Sequence, residues 1–104
     1  MSQTPEGKLT AAVQRRLNQL KAQGVPIWWL KLHGGPMQRR GVPDLLILVA
    51  GRALFVELKA PGKRPSPLQQ ARMNEIEAAK GMAVVAWDVR DVQQAIDLMM
   101  KGWE

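Results

Sequence analysis

The sequence predicts an α/β fold in which helices flank a mixed sheet. Three observations predict it. Apolar residues recur at helical spacing near the N-terminus, in residues 67–80 and near the C-terminus. Short apolar runs of strand length stand between these stretches. Two of the runs are joined only by Gly51-Arg52, a two-residue hairpin signature. The 104 residues suffice for one domain with one modest core, and no linker or internal repeat divides residues 1–104.

Each element has its own local signal. Thr4-Pro5-Glu6 reads as a helix start: a cap, a proline in the first turn, then an acid at the positive end of the dipole. Leu9, Ala12, Val13, Leu17 and Leu20 follow at helical spacing, and Gly24 ends the run. Residues 26–32 are short, apolar and aromatic, which predicts a strand, with Trp28 and Trp29 pointing to opposite faces. His33-Gly34-Gly35-Pro36 breaks it, and a basic loop follows. Residues 44–50 are almost continuously apolar, the pattern of a strand buried on both faces. Residues 53–60 return as its hairpin partner. Ser66-Pro67-Leu68-Gln69 is a capping box that opens a second helix, ended by Gly81. Residues 82–87 form a further strand. Asp88 or Arg90-Asp91 opens a last helix carrying Val92, Ile96 and Met99 or Met100.

Charge narrows the function. The net charge is +6, but residues 1–64 hold eleven cations and three acids, while residues 65–104 hold four cations and six acids. A basic half of this kind suits a polyanion, above all nucleic acid. The absence of cysteine excludes disulfides, thiolate metal sites and a cysteine nucleophile, and it fits a reducing cytoplasm. No apolar stretch is long enough to span a membrane, and the polar N-terminus is unlike a signal peptide. The three acids of the basic half are Glu6, Asp44 and Glu57. Their isolation there raises the question of their use.

The hairpin answers for two of them. Side chains alternate along a strand, so Glu57 and Lys59 share a face. With Gly51-Arg52 as the turn, Asp44 faces Lys59 and Leu46 faces Glu57, which puts Asp44, Glu57 and Lys59 on one side of the sheet. Asp44 and Glu57 are then diagonal neighbours. Two carboxylates without His or Cys are hard oxygen ligands, suited to Mg²⁺ or Mn²⁺. A lysine beside them can orient a water or steady charge on a phosphoryl group. Such a set suits phosphodiester hydrolysis.

The pattern Pro43-Asp44, then Glu57-Leu58-Lys59, resembles the PD-(D/E)XK nuclease superfamily. The fuller stretch Gly41-Val42-Pro43-Asp44-Leu45-Leu46-Ile47-Leu48, Glu57-Leu58-Lys59-Ala60-Pro61-Gly62 and Ser66-Pro67-Leu68-Gln69 is similar to its VRR-Nuc branch, in stand-alone phage-type form. The resemblance implies a restriction-endonuclease-like core in the order α-β-β-β-α-β. It implies a divalent-metal-dependent DNA endonuclease with Asp44, Glu57 and the Leu58 carbonyl as metal ligands. Lys59 would orient the water. Glu6 matches an acid on the first helix near the metal, as a second-site or water-mediated ligand, and Gln69 matches a glutamine at the start of the second core helix. It further implies a homodimer akin to Holliday junction resolvases, acting on branched or junction-containing DNA in the cytoplasm, of a bacterial host if phage-encoded.

Some of these residues have a plainer use. A first-turn acid such as Glu6 is favoured by the helix dipole alone. Gln69 completes a capping box whatever the protein does. His33, the sole histidine, reads as a loop residue without a catalytic role. Arg39, Arg40, Lys63 and Arg64 read as contacts to the DNA backbone, which position a duplex without reading bases. Met99, Met100 and Trp103 suit either a dimer seam or the core. The rival to an enzyme is a non-enzymatic basic nucleic-acid-binding module on the same fold. Such a module gains nothing from carboxylates in its basic half.

Overall fold

The computed structural model describes residues 4–32 and 40–101. Helix α1 spans Pro5–Ala22, strand β1 Ile27–Lys31, β2 Leu45–Val49 and β3 Arg52–Leu58. Helix α2 spans Pro67–Ala78, strand β4 Met82–Ala86 and helix α3 Val89–Met100. The caps explain the starts. Thr4 Oγ1 accepts the Gly7 N–H at 3.0 Å. Ser66 and Gln69 exchange both bonds of a capping box, at 3.1 and 2.9 Å. Asp88 and Asp91 close a third cap on α3, which selects Asp88 over the later start at Arg90. Each cap satisfies amide groups that the first helical turn leaves without partners.

The four strands lie in the order β1-β2-β3-β4. The first two pairings are antiparallel and the β3–β4 pairing is parallel. The sheet is therefore mixed, as its sequence pattern predicts, because only the last connection contains a helix. One face carries Ile27, Leu45, Ile47, Val49, Leu54, Val56, Leu58 and Ala86, all buried. Helices α1 and α3 cover it with Val13, Leu17, Leu20, Val92, Ala95, Ile96 and Met99. Met99 thus belongs to the core. Arg16 Nε donates to Gln93 Oε1 at 2.8 Å and ties these helices together. Helix α2 packs against β4. Its buried Met73 lies outside the core shared by α1 and α3, which places α2 on the other face of the sheet.

Two expectations are corrected. Strand β2 is not buried on both faces: Leu45, Ile47 and Val49 are buried, but Leu46 is half-buried and Leu48 is 36% exposed. Helix α2 covers the β4 side of that face and leaves the β1–β2 side open, so an apolar run does not mark a covered strand here. The two tryptophans do divide as expected. Trp29 packs against the core, its Nε1 donating to Asn18 Oδ1 at 3.2 Å, and Trp28 stands 50% exposed on the other face.

The second correction concerns the turn. Val49 pairs with Arg52, so the central residues are Ala50-Gly51, not Gly51-Arg52. Both have positive φ, 50° and 80°, as a type I′ turn requires and as the right-handed twist of the strands favours. The register therefore moves by two residues. Leu46 faces Phe55, not Glu57. Because the move is even, no side chain changes face. Arg52 donates from Nη1 to the Met99 carbonyl at 3.2 Å, which braces the end of α3. An alanine held at positive φ is strained. Ala50→Asn, giving the Asn-Gly pair such turns prefer, is expected to stabilise the protein by roughly 0.5–1 kcal/mol. A chemical-denaturation midpoint that fails to rise would contradict this turn assignment.

Candidate active site at the end of the β2–β3 hairpin

The last pair of the hairpin is Leu45 with Val56. Continued one step, that register sets Asp44 opposite Glu57, and the Asp44 charge acts on the Glu57 carboxyl. Directly opposed residues lie closer than diagonal ones, with Cβ atoms roughly 4.5–5.5 Å apart. The two carboxylates are thus nearer neighbours than Gly51-Arg52 as a turn allowed. Asp44 is held in place by its own chemistry. Its Oδ2 accepts the Leu58 N–H at 2.8 Å, bridging the start of β2 to the end of β3.

Strand β3 lies between two others, so Glu57 has β2 on one side and Val85 of β4 on the other. It is 2% exposed, the only charged residue among the described ones with so little contact with water. Lys59 Nζ meets Glu57 Oε2 at 3.2 Å, on the same face. The second oxygen, Oε1, is buried without a hydrogen-bond partner. An ionised carboxylate is costly in such a place. Burial first, and the Asp44 charge second, push the Glu57 carboxyl up from the usual 4.5 to about 7; Lys59 pulls the other way. Glu6, exposed on the first turn of α1, adds a further small push in the same direction. It is close enough to act on the pair through its field.

Helix α2 holds the approach to Asp44. Arg72 Nε donates to the Arg40 carbonyl at 2.9 Å, while its Nη1 reaches the Glu75 carboxylate at 3.0 Å. Gly41 has φ +81°, and a Cβ there would lie 2.8 Å from Leu68 Cγ and 3.1 Å from Leu68 backbone. Only glycine lets this loop close against the helix. Pro43 is fully buried. The stretch Gly41 to Asp44 is therefore clamped by α2 before it enters the sheet. The sequence carried a signal for Gly41 and Pro43 in the motif, but none for Arg72.

Of the residues singled out in the sequence, the structure brings Asp44, Glu57, Leu58 and Lys59 together, with Glu6 nearby. Gln69 uses its Oε1 on the Ser66 N–H, so its visible work is the cap. Arg40 is exposed. Lys63 and Arg64 line a cleft with Pro61, Gly62 and Trp87. Arg39 and His33 lie outside the described residues. So does Trp103. Among the described residues no cluster of three or more metal-ligating side chains forms. The carboxylates come as a pair, and the orphaned Glu57 oxygen beside Asp44 fits a hard cation that the pair would share with water and a phosphate.

The fold has close counterparts. A solved structure described as a VRR_NUC domain superposes over 98% of this chain and all of its own, with a TM-score of 0.71 and 22% identity. A second, described as a VRR_NUC domain protein, covers 96% of this chain and 91% of its own, with a TM-score of 0.74 and 24% identity. The fold is that of VRR_NUC domains. The VRR_NUC fold accounts for the order of elements and the mixed four-stranded sheet. The sequence is also 42% identical over 59 residues to "Putative nuclease p44" of Acyrthosiphon pisum secondary endosymbiont phage 1. That match takes in 56% of this chain and 62% of the phage protein. No protein-family model matches the chain.

The raised Glu57 carboxyl has a consequence for stability. The folded protein keeps this proton to about pH 7, whereas the unfolded chain loses it near 4.5. The folded state binds more protons between those values, so the contribution is full below about pH 4.5 and is lost as pH rises through 7. Without divalent cations, stability is expected to fall by roughly 1–3 kcal/mol between about pH 5 and pH 8. Glu57→Gln should flatten that part of the profile. A wild-type unfolding profile as flat as the variant's would contradict this account.

Proposed function

We propose that this protein is a divalent-metal-dependent endonuclease that hydrolyses DNA phosphodiester bonds. The observation that carries the proposal is the opposed Asp44–Glu57 pair, with an unpartnered buried oxygen and Lys59 beside it, at one end of the hairpin of a VRR_NUC fold. The phage protein that shares 42% identity over 59 residues carries the word nuclease in its name. The positive balance of residues 1–64 supplies attraction for a polyanion.

Each residue has a role in this reading. Asp44, Glu57 and the Leu58 carbonyl hold Mg²⁺ or Mn²⁺, with Glu6 as an outer or water-mediated contributor. The bound cation supplies Lewis acidity at the phosphate and lowers the pKa of a water. Lys59 Nζ, fixed by Glu57, orients the attacking water and steadies charge on the phosphoryl oxygens. The Asp44–Leu58 bond keeps the two strands from parting at the site. Gln69 acts by capping the helix that clamps the Asp44 loop. Arg39, Arg40, Lys63 and Arg64 hold the DNA backbone. The enzyme works in the cytoplasm.

A second copy of the chain completes the assembly in this proposal. Trp28 and Leu48 are cross-strand partners, and with Leu30 they stand 50%, 36% and 46% exposed on the sheet face that also bears Glu57. An open apolar strip of large side chains favours burial against a like surface. A two-fold dimer would present two equivalent sites to two strands, which suits branched or junction-containing DNA.

Two outcomes test the proposal. Asn at position 44 keeps an oxygen for the Leu58 N–H but removes the charge. Asp44→Asn is therefore expected to lower Mg²⁺- or Mn²⁺-dependent cleavage at least 100-fold, while DNA binding persists and the thermal midpoint does not fall. Binding by the wild type with no metal-dependent cutting of a panel of branched and linear DNAs would instead support the non-enzymatic module. For the assembly, Trp28→Asp with Leu48→Asp should reduce the sedimenting mass from two chains to one. A wild type that sediments as a monomer while cutting a junction at full rate rules the dimer out.

A further inference from the structure

We infer that the cleft between the 61–64 loop and Trp87 receives a single unstacked nucleotide of the DNA. The preferred substrate is then a duplex with an unpaired base or single-stranded extension next to the cut. The inference rests on the nuclease reading and specifies which DNA the site takes.

The cleft is built by the strand ends that frame the carboxylates. The Lys59 N–H donates to the Ala86 carbonyl at 3.0 Å, one residue beyond the last pair of β3 and β4. Trp87 therefore leaves the sheet one strand over from Lys59. The chain after Lys59 turns at once. The Lys63 N–H bonds to the Ala60 carbonyl at 3.0 Å, and Gly62 takes φ +81°. This loop swings Lys63 and Arg64 round to Trp87. The result is a cleft of about 420 Å³ lined by Pro61, Gly62, Lys63, Arg64 and Trp87. That is within the range of sites for small ligands, roughly 300–1,000 Å³.

The lining has the chemistry of a nucleotide site. Trp87 Nε1 donates to the Lys63 carbonyl at 2.7 Å, so the edge of the indole is pinned to the loop. Trp87 is nonetheless 41% exposed. A fixed, exposed indole is a stacking platform for a base. Lys63 and Arg64, both exposed, supply positive charge for the phosphate of that nucleotide. A base paired in the interior of a duplex is already stacked on both faces and cannot use such a platform. An unpaired one can, and it does so without regard to sequence because every base has a π-face.

The test uses the full chain carrying Asp44→Asn, so that binding is read without cleavage. Labelled blunt duplex is compared with the same duplex bearing a short single-stranded extension, at equal salt. The extended duplex is expected to bind about tenfold more tightly. Trp87→Leu and Trp87→Phe are then added separately. Both lose the N–H bond to Lys63, but only phenylalanine keeps an aromatic face. Phenylalanine should retain most of the preference and leucine should lose it. Equal loss in both, or no preference in the parent, overturns the inference. A deoxynucleoside monophosphate that competes as well as the extended duplex also overturns it, since the cleft would then take free nucleotide. Metal-dependent cutting by the wild type without the preference removes only this inference. The preference without cutting removes only the nuclease reading.

Discussion

Strand β3 runs between an antiparallel and a parallel neighbour, and the pairing of its far end with β2 governs everything described at the site. That pairing starts at Ala50-Gly51, where two positive φ values turn the chain in two residues. It ends where Asp44 Oδ2 takes the Leu58 N–H. Between these points the register sends Leu45, Ile47, Val49, Leu54, Val56 and Leu58 into the core. The same alternation sends Glu57 to the other face. A slip of one residue would exchange the two sets, placing a carboxylate in the core and leucines on the surface. The core therefore enforces the face that each side chain takes, because any odd shift would expose the apolar residues, and the Ala50-Gly51 turn fixes the pairing within that parity.

The site in turn costs the fold something. Glu57 is enclosed by neighbouring strands and has one oxygen without a partner. Lys59 offsets part of that cost by pairing with the other oxygen. Asp44 adds to it, since like charges side by side favour protonation of one. Costs of this kind cluster at functional sites. The caps on α1, α2 and α3, the Arg16–Gln93 bond and the Arg52 brace satisfy polar groups elsewhere in the fold. Arg72 and Gly41 support the loop that delivers Asp44.

The two faces of the sheet divide the labour. One is sealed by α1 and α3 and supplies stability. The other bears the carboxylate pair at one end, α2 over β4, and an open apolar strip of Trp28, Leu30 and Leu48. The strand ends at Lys59 and Ala86 then carry the chain into the 61–64 loop and Trp87. The carboxylate pair and the open apolar strip thus share one face of the sheet.

Local signals were enough to read the elements. Caps at Thr4 and Ser66, helical spacing of Val13, Leu17 and Leu20, and strand alternation at Glu57-Leu58-Lys59 all act within a few residues, where propensity and periodicity dominate. They placed Asp44, Glu57 and Lys59 on one face, and that survived a wrong turn because the error was even. The turn itself was not legible. Gly51 invited a turn starting at glycine, whereas packing of both strands against α1 and α3 set a register that holds Ala50 at positive φ. The openness of Leu48, the burial of Glu57, the clamp of Arg72 on Arg40 and the meeting of Trp87 with Lys63 are equally tertiary. Each joins residues distant in the chain, or depends on which part of the sheet α2 covers. Sequence by itself determined which side chains share a face; only packing decided which of them meet, which are covered and which stay open to solvent.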